Sequence, residues 1–359
     1  MWEMNRFLSS AGVIALCTGT AMAGGFERSD NPVGFMFEKG SYAELSFGSV
    51  SPSVKGIAGG VFASGDVGDS YTQVGVAFKM DINTKFSLGL QIDPTFGANI
   101  TYPLAGSTYP IRGTNAELNG DTIALIARYK FTENLSIHGG LRSVGIGGNV
   151  AVFSGGVPFY RANYETDRDL GYLIGAAYEK PEIALRVALT YSSETSHDLA
   201  TSVFGTPVGT ETVELPKSLT LDFQSGVAAN TLVFGSVRWA DWTSTRLNSI
   251  GYPAPLQPLV GYRNDVITYE LGVGRKFTEN WAGALSLGYE KANGGISTNL
   301  DPTDGVYSIG LGGTYTRENM KITAGVRYVQ IGDATALSGA SEFTDNHAVG
   351  VGIKVGFSF

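Results

Sequence analysis

The sequence has a single cysteine, few charged residues and a net negative charge. Charged residues make up 16% of the chain, against about 25% in soluble domains. The net charge of −8 disfavours a nucleic-acid partner. Cys17 lies in a segment that we predict to be cleaved, so no disulfide or thiolate metal site is expected. Because the three histidines, His138, His197 and His347, are widely dispersed, we predict no metal, cofactor or catalytic residue.

A long apolar run is also missing beyond the first residues, which excludes membrane-spanning helices. Arg6 precedes a short apolar stretch, and Ala21-Met22-Ala23 supplies small residues at a cleavage site. Residues 1–23 are therefore predicted to be a secretory signal peptide. The remaining chain divides into an amino-terminal segment, 24–40, and a long domain, 41–359.

The last stretch of the chain, Asn346 to Phe359, alternates between two kinds of residue. Val349, Val351, Ile353 and the residues in step with them are apolar, whereas the intervening positions are mostly glycine or polar. This period of two predicts a strand with one lipid-compatible face. An exposed edge strand of this kind is a liability in water, but a closed membrane barrel pairs it with the first strand.

The same alternation recurs along the chain and predicts about fourteen strands. These segments are longer than the ~5–6 residues of sandwich strands and suit the ~9–11 residues that a tilted membrane strand needs. We therefore predict an all-β fold, a transmembrane antiparallel β-barrel in the outer membrane of a Gram-negative cell. The predicted strands are 41–50, 70–80, 85–102, 117–131, 134–148, 166–180, 182–194, 212–227, 230–243, 262–277, 279–292, 305–316, 319–332 and 344–359.

Short turns and long connections alternate between these strands, as they do in outer-membrane barrels. Both termini are expected on the short-turn, periplasmic side. The third and fourth long connections, 149–165 and 195–211, are apolar. Their residues could simply pack on one another or bind hydrophobic ligands. The candidate ligand-binding residues are Val152, Phe153, Val157, Phe159, Tyr160, Leu199, Val203 and Phe204.

Charged residues provide a test of the strand register. If the apolar rows face lipid, most basic residues fall on the opposite face and line the lumen, where a charge is tolerated. Arg275 is an exception, which predicts either snorkelling at the interface or a bulge in its strand. The predicted lumenal arginines are Arg128, Arg142, Arg186, Arg238 and Arg327.

Two further features interrupt the regular pattern. Pro94 lies within the third strand, where it predicts a bulge, a bend or a missing pair because proline cannot donate to the ladder. Segment 24–40 has no clear period and is either a disordered leader or a plug. Its aromatic and turn-forming residues are Phe26, Asn31, Pro32, Phe35 and Phe37.

Several short motifs resemble the FadL/TodX-type long-chain fatty-acid transporter family of outer-membrane proteins. They are the Leu215-Pro216-Lys217-Ser218 strand start, the Val237 to Trp242 segment, the repeated Phe-Thr-Glu-Asn turns at Phe131 and Phe277, and Ile92 to Gly97. The resemblance implies a fourteen-stranded barrel blocked by an amino-terminal hatch. Asn31-Pro32-Val33 is similar to the hatch sequence Asn-Pro-Ala of that family.

The same resemblance implies passive uptake of long-chain fatty acids or other hydrophobic small molecules. Release would be lateral, through an opening at the third-strand kink formed by Pro94, Phe96 and Gly97. The implied surroundings are outer-membrane lipid and lipopolysaccharide, and the expected state is a monomer. A general water-filled porin remains the alternative. A barrel lipase is disfavoured because no Ser and His lie together on a lipid-facing row.

Overall fold

The computed structural model describes residues 25–336 and 340–359. The predicted signal peptide and Gly24 lie outside the described residues. Fourteen strands form the wall of a closed antiparallel barrel. They are β1 Tyr42–Ser53, β2 Tyr71–Asp81, β3 Phe86–Thr101, β4 Asn115–Lys130, β5 Leu135–Ser154, β6 Val157–Lys180, β7 Leu185–Ser192, β8 Ser218–Ala228, β9 Thr231–Ala240, β10 Val266–Lys276, β11 Trp281–Glu290, β12 Val306–Arg317, β13 Met320–Ile331 and β14 Asn346–Ser358.

The last strand closes the barrel as the sequence predicts. β14 pairs with β1 from Tyr42 opposite Ser358 to Ser53 opposite His347, and β6 pairs directly with β7. Every wall strand therefore has two neighbours, and the sheet has no free edge. The predicted fourteen-stranded barrel is confirmed.

Alternation gives the wall an apolar outer face and an inner face of small residues. Leu271 lies opposite Leu287, which in turn lies opposite Ile309, and all three are exposed. The adjacent inward row is Gly272, Ser286 and Gly310. An outer apolar face is stable against lipid, whereas small inward residues leave room in the lumen.

Aromatic residues mark both ends of this apolar face. Trp281 packs against Tyr315 at the short-turn end, with ring centroids 4.9 Å apart. Near the other end, which we call the loop end, Tyr289 packs against Tyr307 at 5.1 Å. The eight residue steps from Trp281 to Tyr289 span roughly 26 Å of strand at ~3.3 Å per step. This spacing suits the two aromatic girdles of a membrane barrel.

The exceptional charge, Arg275, lies on the outer face without any register shift in its strand. It is exposed and lies two residues before Phe277, close to the turn that joins β10 to β11. The structure thus selects snorkelling at the interface rather than a bulge.

The third and fourth long connections differ from the prediction because they are largely strands. β5 and β6 extend beyond the predicted limits and meet at a two-residue turn, Gly155-Gly156, in which both residues have positive φ. Such turns join strands without splaying them. Strands Thr195–Val203 and Thr206–Leu215 likewise form a hairpin that continues β7 and β8. The glycine and proline content of these segments suggested loops and concealed their alternation.

Small elements complete the loop end and the turns. A four-stranded sheet of Lys55–Ala58, Phe62–Asp66, Ala334–Ala336 and Ser341–Phe343 lies at the loop end, together with the short pair Arg246–Leu247 and Val260–Gly261. The 3-10 helices are Val33–Phe37, Pro181–Ile183, Trp242–Ser244 and Ala254–Leu256. None of the described helices is long and apolar enough to cross a membrane.

The exposed apolar row gives a test of membrane depth. We expect Leu271→Arg to lower the free energy of unfolding by about 2–4 kcal/mol, because a lipid-facing arginine at mid-membrane is costly. Phe277→Arg, at the short-turn end, is the matched control and should cost at most ~1 kcal/mol. The measurement is urea unfolding in bilayers followed by tryptophan fluorescence. Equal costs at both positions would contradict the assigned lipid-facing band.

Candidate functional site

The amino-terminal segment Gly25–Gly40, here called the leader, lies along the inner face of the wall. Its first part pairs with β3, since Glu27 bridges Phe96. The Gly97 N–H donates to the Phe26 carbonyl at 2.8 Å, and the Arg28 N–H donates to the Thr95 carbonyl at 2.7 Å. The leader therefore contributes a short inner strand beside the third wall strand.

The second part of the leader is the 3-10 helix Val33–Phe37, which packs in the short-turn half of the lumen. Val33, Phe35 and Met36 are buried, and they contact inward wall residues that include Ala124 and Leu173. A Cβ atom on Gly89 of β3 would overlap the Met36 sulfur and the Phe35 ring. The absence of a side chain at Gly89 thus admits this helix.

Ion pairs and hydrogen bonds fasten the leader to the wall. Arg238 of β9 binds the carboxylate of Glu27, and Lys321 of β13 lies 2.9 Å from the Glu38 carboxylate. Lys79 of β2 donates to the Glu38 and Gly40 carbonyls at 2.8 Å each. These contacts reach three different parts of the wall, so the leader crosses the lumen rather than lining one strand.

A bulge in β3 lies beside an interval in which β2 and β3 are not paired. Pro94 and Thr95 together lie opposite Asp121, because the register with β4 shifts between Asp93 and Phe96. β2 pairs with β3 only from Val76 opposite Ile92 to Asp81 opposite Ser87. The two strands meet again where Gly68, just before β2, bridges Ile100. Between these contacts, residues 71–75 have no pairing with β3 among the described residues. We call this interval the wall gap.

An apolar pocket of about 80 Å³ lies beside the gap at the loop end. Its lining includes Phe26, Ala98, Leu118, Tyr262 and Leu300, which come from the leader, β3, β4 and two connections. Trp242 packs edge-on against two of these residues, with ring centroids 5.0 Å from Phe26 and 4.9 Å from Tyr262. The pocket lies within a larger apolar cluster, in which residues of the leader pack against residues of the loop-end hairpins.

The few charged groups around this pocket are acidic. Asp301 and Glu117 belong to its lining, although the Glu117 side chain is exposed and lies on the outward row of β4, opposite Asn99. None of the described lining residues is a lysine, arginine or histidine. Burial raises the pKa of Asp301 to about 6, although hydrogen bonds from Thr303 and Tyr262 oppose the shift. The pocket therefore offers no cation to a ligand carboxylate.

A second cavity, of about 250 Å³, lies between the leader and the opposite wall. It is lined by residues of both charge signs, among them Arg186, Asp222 and Glu270. Arg327 contacts Glu270 at 2.8 Å in this cavity. The lumen thus has an apolar compartment at the loop end and a charged one beside the leader.

Comparison with known proteins gives structural matches only. No protein-family model and no curated protein matches the sequence. The structure is similar to a Pseudomonas aeruginosa FadL homologue, with a TM-score of 0.75, 15% identity and coverage of 92% of this chain and 93% of that one. This chain has the FadL fold. The predicted resemblance is therefore confirmed as a likeness of fold, and the outer-membrane barrel architecture with it.

Two toluene transporters have the same FadL-type barrel. The Ralstonia pickettii toluene transporter TbuX matches with a TM-score of 0.64 and 14% identity, covering 98% of this chain and 99% of that one. The Pseudomonas putida toluene transporter TodX matches with a TM-score of 0.68 and 11% identity over the same shares. These neighbours are transport proteins, and at such identities the likeness concerns the fold.

The FadL-type barrel separates the predicted ligand-binding residues into three groups. Val152, Tyr160, Leu199 and Val203 belong to the apolar cluster around the pocket, but only Leu199 of the predicted set lines it. Phe153 is buried elsewhere, next to Gly113. The others are exposed near the hairpin tips and lie outside the pocket: Val157, Phe159 and Phe204.

The sequence analysis missed Leu118, Leu259, Tyr262 and Leu300, which do line the pocket. Leu118 is in step with the inward row of β4 and could have been found from its parity. The other three lie in irregular connections, where no period indicates direction.

The predicted lumenal arginines all have partners inside the barrel. Arg128 donates to the Met36 carbonyl at 3.2 Å and binds Glu179. Arg142 donates to the Ser193 carbonyl at 3.1 Å, and Arg186 lies 4.7 Å from the Phe37 ring centroid. Arg238 and Arg327 form the ion pairs described above. The contacts of the five arginines are therefore mainly with the leader and with other residues of the lumen wall.

Packing against Gly89 gives a test of the leader position. We expect Gly89→Val to displace the Val33–Phe37 helix, since overpacking of this kind costs typically 1–3 kcal/mol. Trypsin should then cut faster after Lys39 in the folded barrel. Gly313→Val is the control, because a Cβ there meets only one carbonyl, at 4.0 Å. Equal cleavage of both variants would contradict the described packing.

Proposed function

We propose that this barrel conducts small, uncharged hydrophobic molecules across the outer membrane. In this scheme the apolar pocket holds the ligand, the leader closes the lumen as a hatch, and the wall gap releases the ligand sideways. The observation that carries the proposal is the adjacency of pocket and gap on β3, where Ala98 lines the pocket and its neighbours Gly97 and Asn99 border the gap.

The pocket chemistry favours a neutral ligand over a fatty-acid anion. A buried carboxylate needs a cation or several donors, and an acidic lining raises its cost further. Asp301 is the charged side chain on the pocket side of the described lining, since Glu117 lies on the outward row of β4. Of the two substrate classes that the resemblance implies, the hydrocarbon is therefore the better fit, consistent with toluene as the molecule named for two structural neighbours.

The size of the pocket favours one aromatic ring over a long acyl chain. The pocket is about 80 Å³, smaller than a cavity of about 150 Å³ that binds benzene, so it must widen for either ligand. Small side-chain movements would admit one aromatic ring, whereas a long acyl chain would require a much larger rearrangement.

The exposed hairpin tips provide a reasonable first contact for such a ligand. Phe159 stacks on Tyr252 at 6.2 Å, and Tyr252 packs against Tyr160 of the pocket cluster at 5.1 Å. The Phe204 N–H donates to the Arg161 carbonyl, which joins the two hairpins. An aromatic series thus leads from the surface to the apolar cluster around the pocket, and hydrophobic contact would drive a ligand along it.

The alternative, a general diffusion porin, has one supporting feature in the charged 250 Å³ cavity. The packed leader argues against it, because Met36 is fully buried and Phe35 is 4% exposed within the lumen. A wide porin lumen would hold water in place of these side chains.

Protonation of Asp301 should couple to ligand binding. A neutral ligand removes water from this carboxyl and raises its pKa further, so binding takes up a proton and the affinity for toluene should rise several-fold as the pH falls from about 8 to 5. Asp301→Asn, which stays neutral, should make the affinity nearly independent of pH. The measurement is calorimetric titration of the detergent-solubilised barrel with toluene. An unchanged pH dependence in the variant would exclude Asp301 from the binding site.

Removal of the β3 bulge tests the lateral route. Deleting Pro94 leaves one residue opposite Asp121, so β3 can straighten and pair with residues 71–75 while Phe96 keeps its place opposite Gly120. We expect toluene uptake by expressing cells to be lost, although the barrel still folds, as judged by heat-modifiable migration. Pro94→Ala keeps the residue count and should retain uptake. Normal uptake by the deletion variant would rule out release through the wall gap.

A further inference from the structure

Beside the leader backbone that pairs with β3, the wall gap contains the side chain of Arg28. A Cβ atom on Gly97 would overlap the Arg28 guanidinium, and the same guanidinium donates to the side-chain carbonyl of Asn99. On the β2 side it lies 4.0 Å from the ring centroid of Tyr71. Arg28 therefore spans the interval between the two strands that lack mutual pairing.

The parity of β3 places one end of the Arg28 contacts on the outer side of that strand, whereas Tyr71 is on the inward row of β2 and Arg28 also lines the lumenal cavity. Phe96 and Ala98 face inward, as members of the apolar cluster and the pocket lining. Gly97 and Asn99 alternate with them and therefore point to the other side. Since the guanidinium contacts Gly97 and Asn99, it extends past the backbone of β3 into the gap.

The buried guanidinium of Arg28 has few polar partners. Its side chain is buried, with 7% exposure for the residue, yet it forms no salt bridge among the described residues, and its Nε atom has no hydrogen-bond partner there. Glu117, opposite Asn99 on β4, is the adjacent carboxylate. Buried arginines are usually paired, so this arrangement is a costly one that movement of the side chain would relieve.

We propose that Arg28 is the bolt of the wall gap, a side chain that must leave the gap for each hydrophobic ligand to pass. The proposal rests on the lateral release proposed above and assigns that step to a residue. A ligand that moves from the pocket past Ala98 meets the guanidinium next, and an apolar molecule cannot replace the contacts of Arg28 with Asn99 and Tyr71. Ligand passage is then limited by the swing of this side chain rather than by the width of the gap.

The leader can permit this movement without leaving the lumen. Its helix Val33–Phe37 and the Lys79 and Lys321 contacts lie away from the gap, in the short-turn half. Among the residues that the structure describes, the contacts with Asn99 and Tyr71 hold the Arg28 side chain itself. The bolt and the hatch are therefore separable parts of the same segment.

Substitutions of opposite size test the proposal. Arg28→Ala empties the gap and should raise the initial rate of toluene uptake by expressing cells several-fold. Arg28→Trp replaces the bolt with a bulky group that has no mobile charged end, and should reduce uptake to the background of cells without the barrel. Asn99→Ala, which removes one contact of the bolt, should shift uptake in the same direction as Arg28→Ala. Lys39→Ala is the control, since Lys39 is an exposed cation of the same leader, and should behave as the unaltered protein.

The outcomes separate this proposal from the one on which it rests. All variants are first checked for heat-modifiable migration, so that only folded barrels are compared. A purely structural Arg28 would give reduced uptake with both Arg28→Ala and Arg28→Trp, which would overturn the bolt. Unchanged uptake in both, together with loss of uptake on deletion of Pro94, would also overturn the bolt but retain lateral release. Normal uptake after deletion of Pro94 would overturn both.

Discussion

The extra residue in β3 is the constraint on which the rest of this structure depends. In the first half of the strand, Phe86, Leu88, Leu90 and Ile92 face lipid. A regular strand would place Phe96 and Ala98 on that same outer row. Because Pro94 and Thr95 share one partner, the parity reverses and these apolar side chains turn inward. The bulge thus creates the pocket lining and the wall gap at once.

The bulge also leaves backbone groups of β3 without partners on β2, and the leader forms hydrogen bonds with them. Backbone groups without partners cost several kcal/mol in a membrane. Where β3 separates from β2, the Thr95 carbonyl accepts from Arg28 and Ser29, and the Gly97 N–H donates to Phe26. The leader is consequently a structural part of the wall at this point as well as an occupant of the lumen. Its apolar residues are buried because the hydrogen-bonded strand brings them there.

Much of this fold follows from the sequence because a membrane barrel imposes a period of two on each strand. The closing of the barrel by the last strand, the outward apolar rows and the disturbance at Pro94 all have signals in the chain. Hairpin extensions such as that at Gly155-Gly156 were predicted as loops, since turn-forming residues near a strand end look the same in both cases. The tertiary contacts of residues without a period were not predictable, and Tyr262, Leu300 and Arg28 belong to this group.

The sideways route is also the one that hydrophobicity favours. Burial of apolar carbon is worth about 0.8 kcal/mol per methylene-sized group, so a ligand of toluene size gains roughly 5 kcal/mol in gross terms by leaving water. Release into the periplasm would forfeit this gain, whereas release into lipid would keep it. The charged cavity beside the leader, lined by Arg186, Asp222 and Glu270, adds a polar barrier along the axial route. In the proposed scheme, the Arg28 guanidinium would close the gap when the pocket is empty, and it could be displaced because its side chain has few contacts among the described residues.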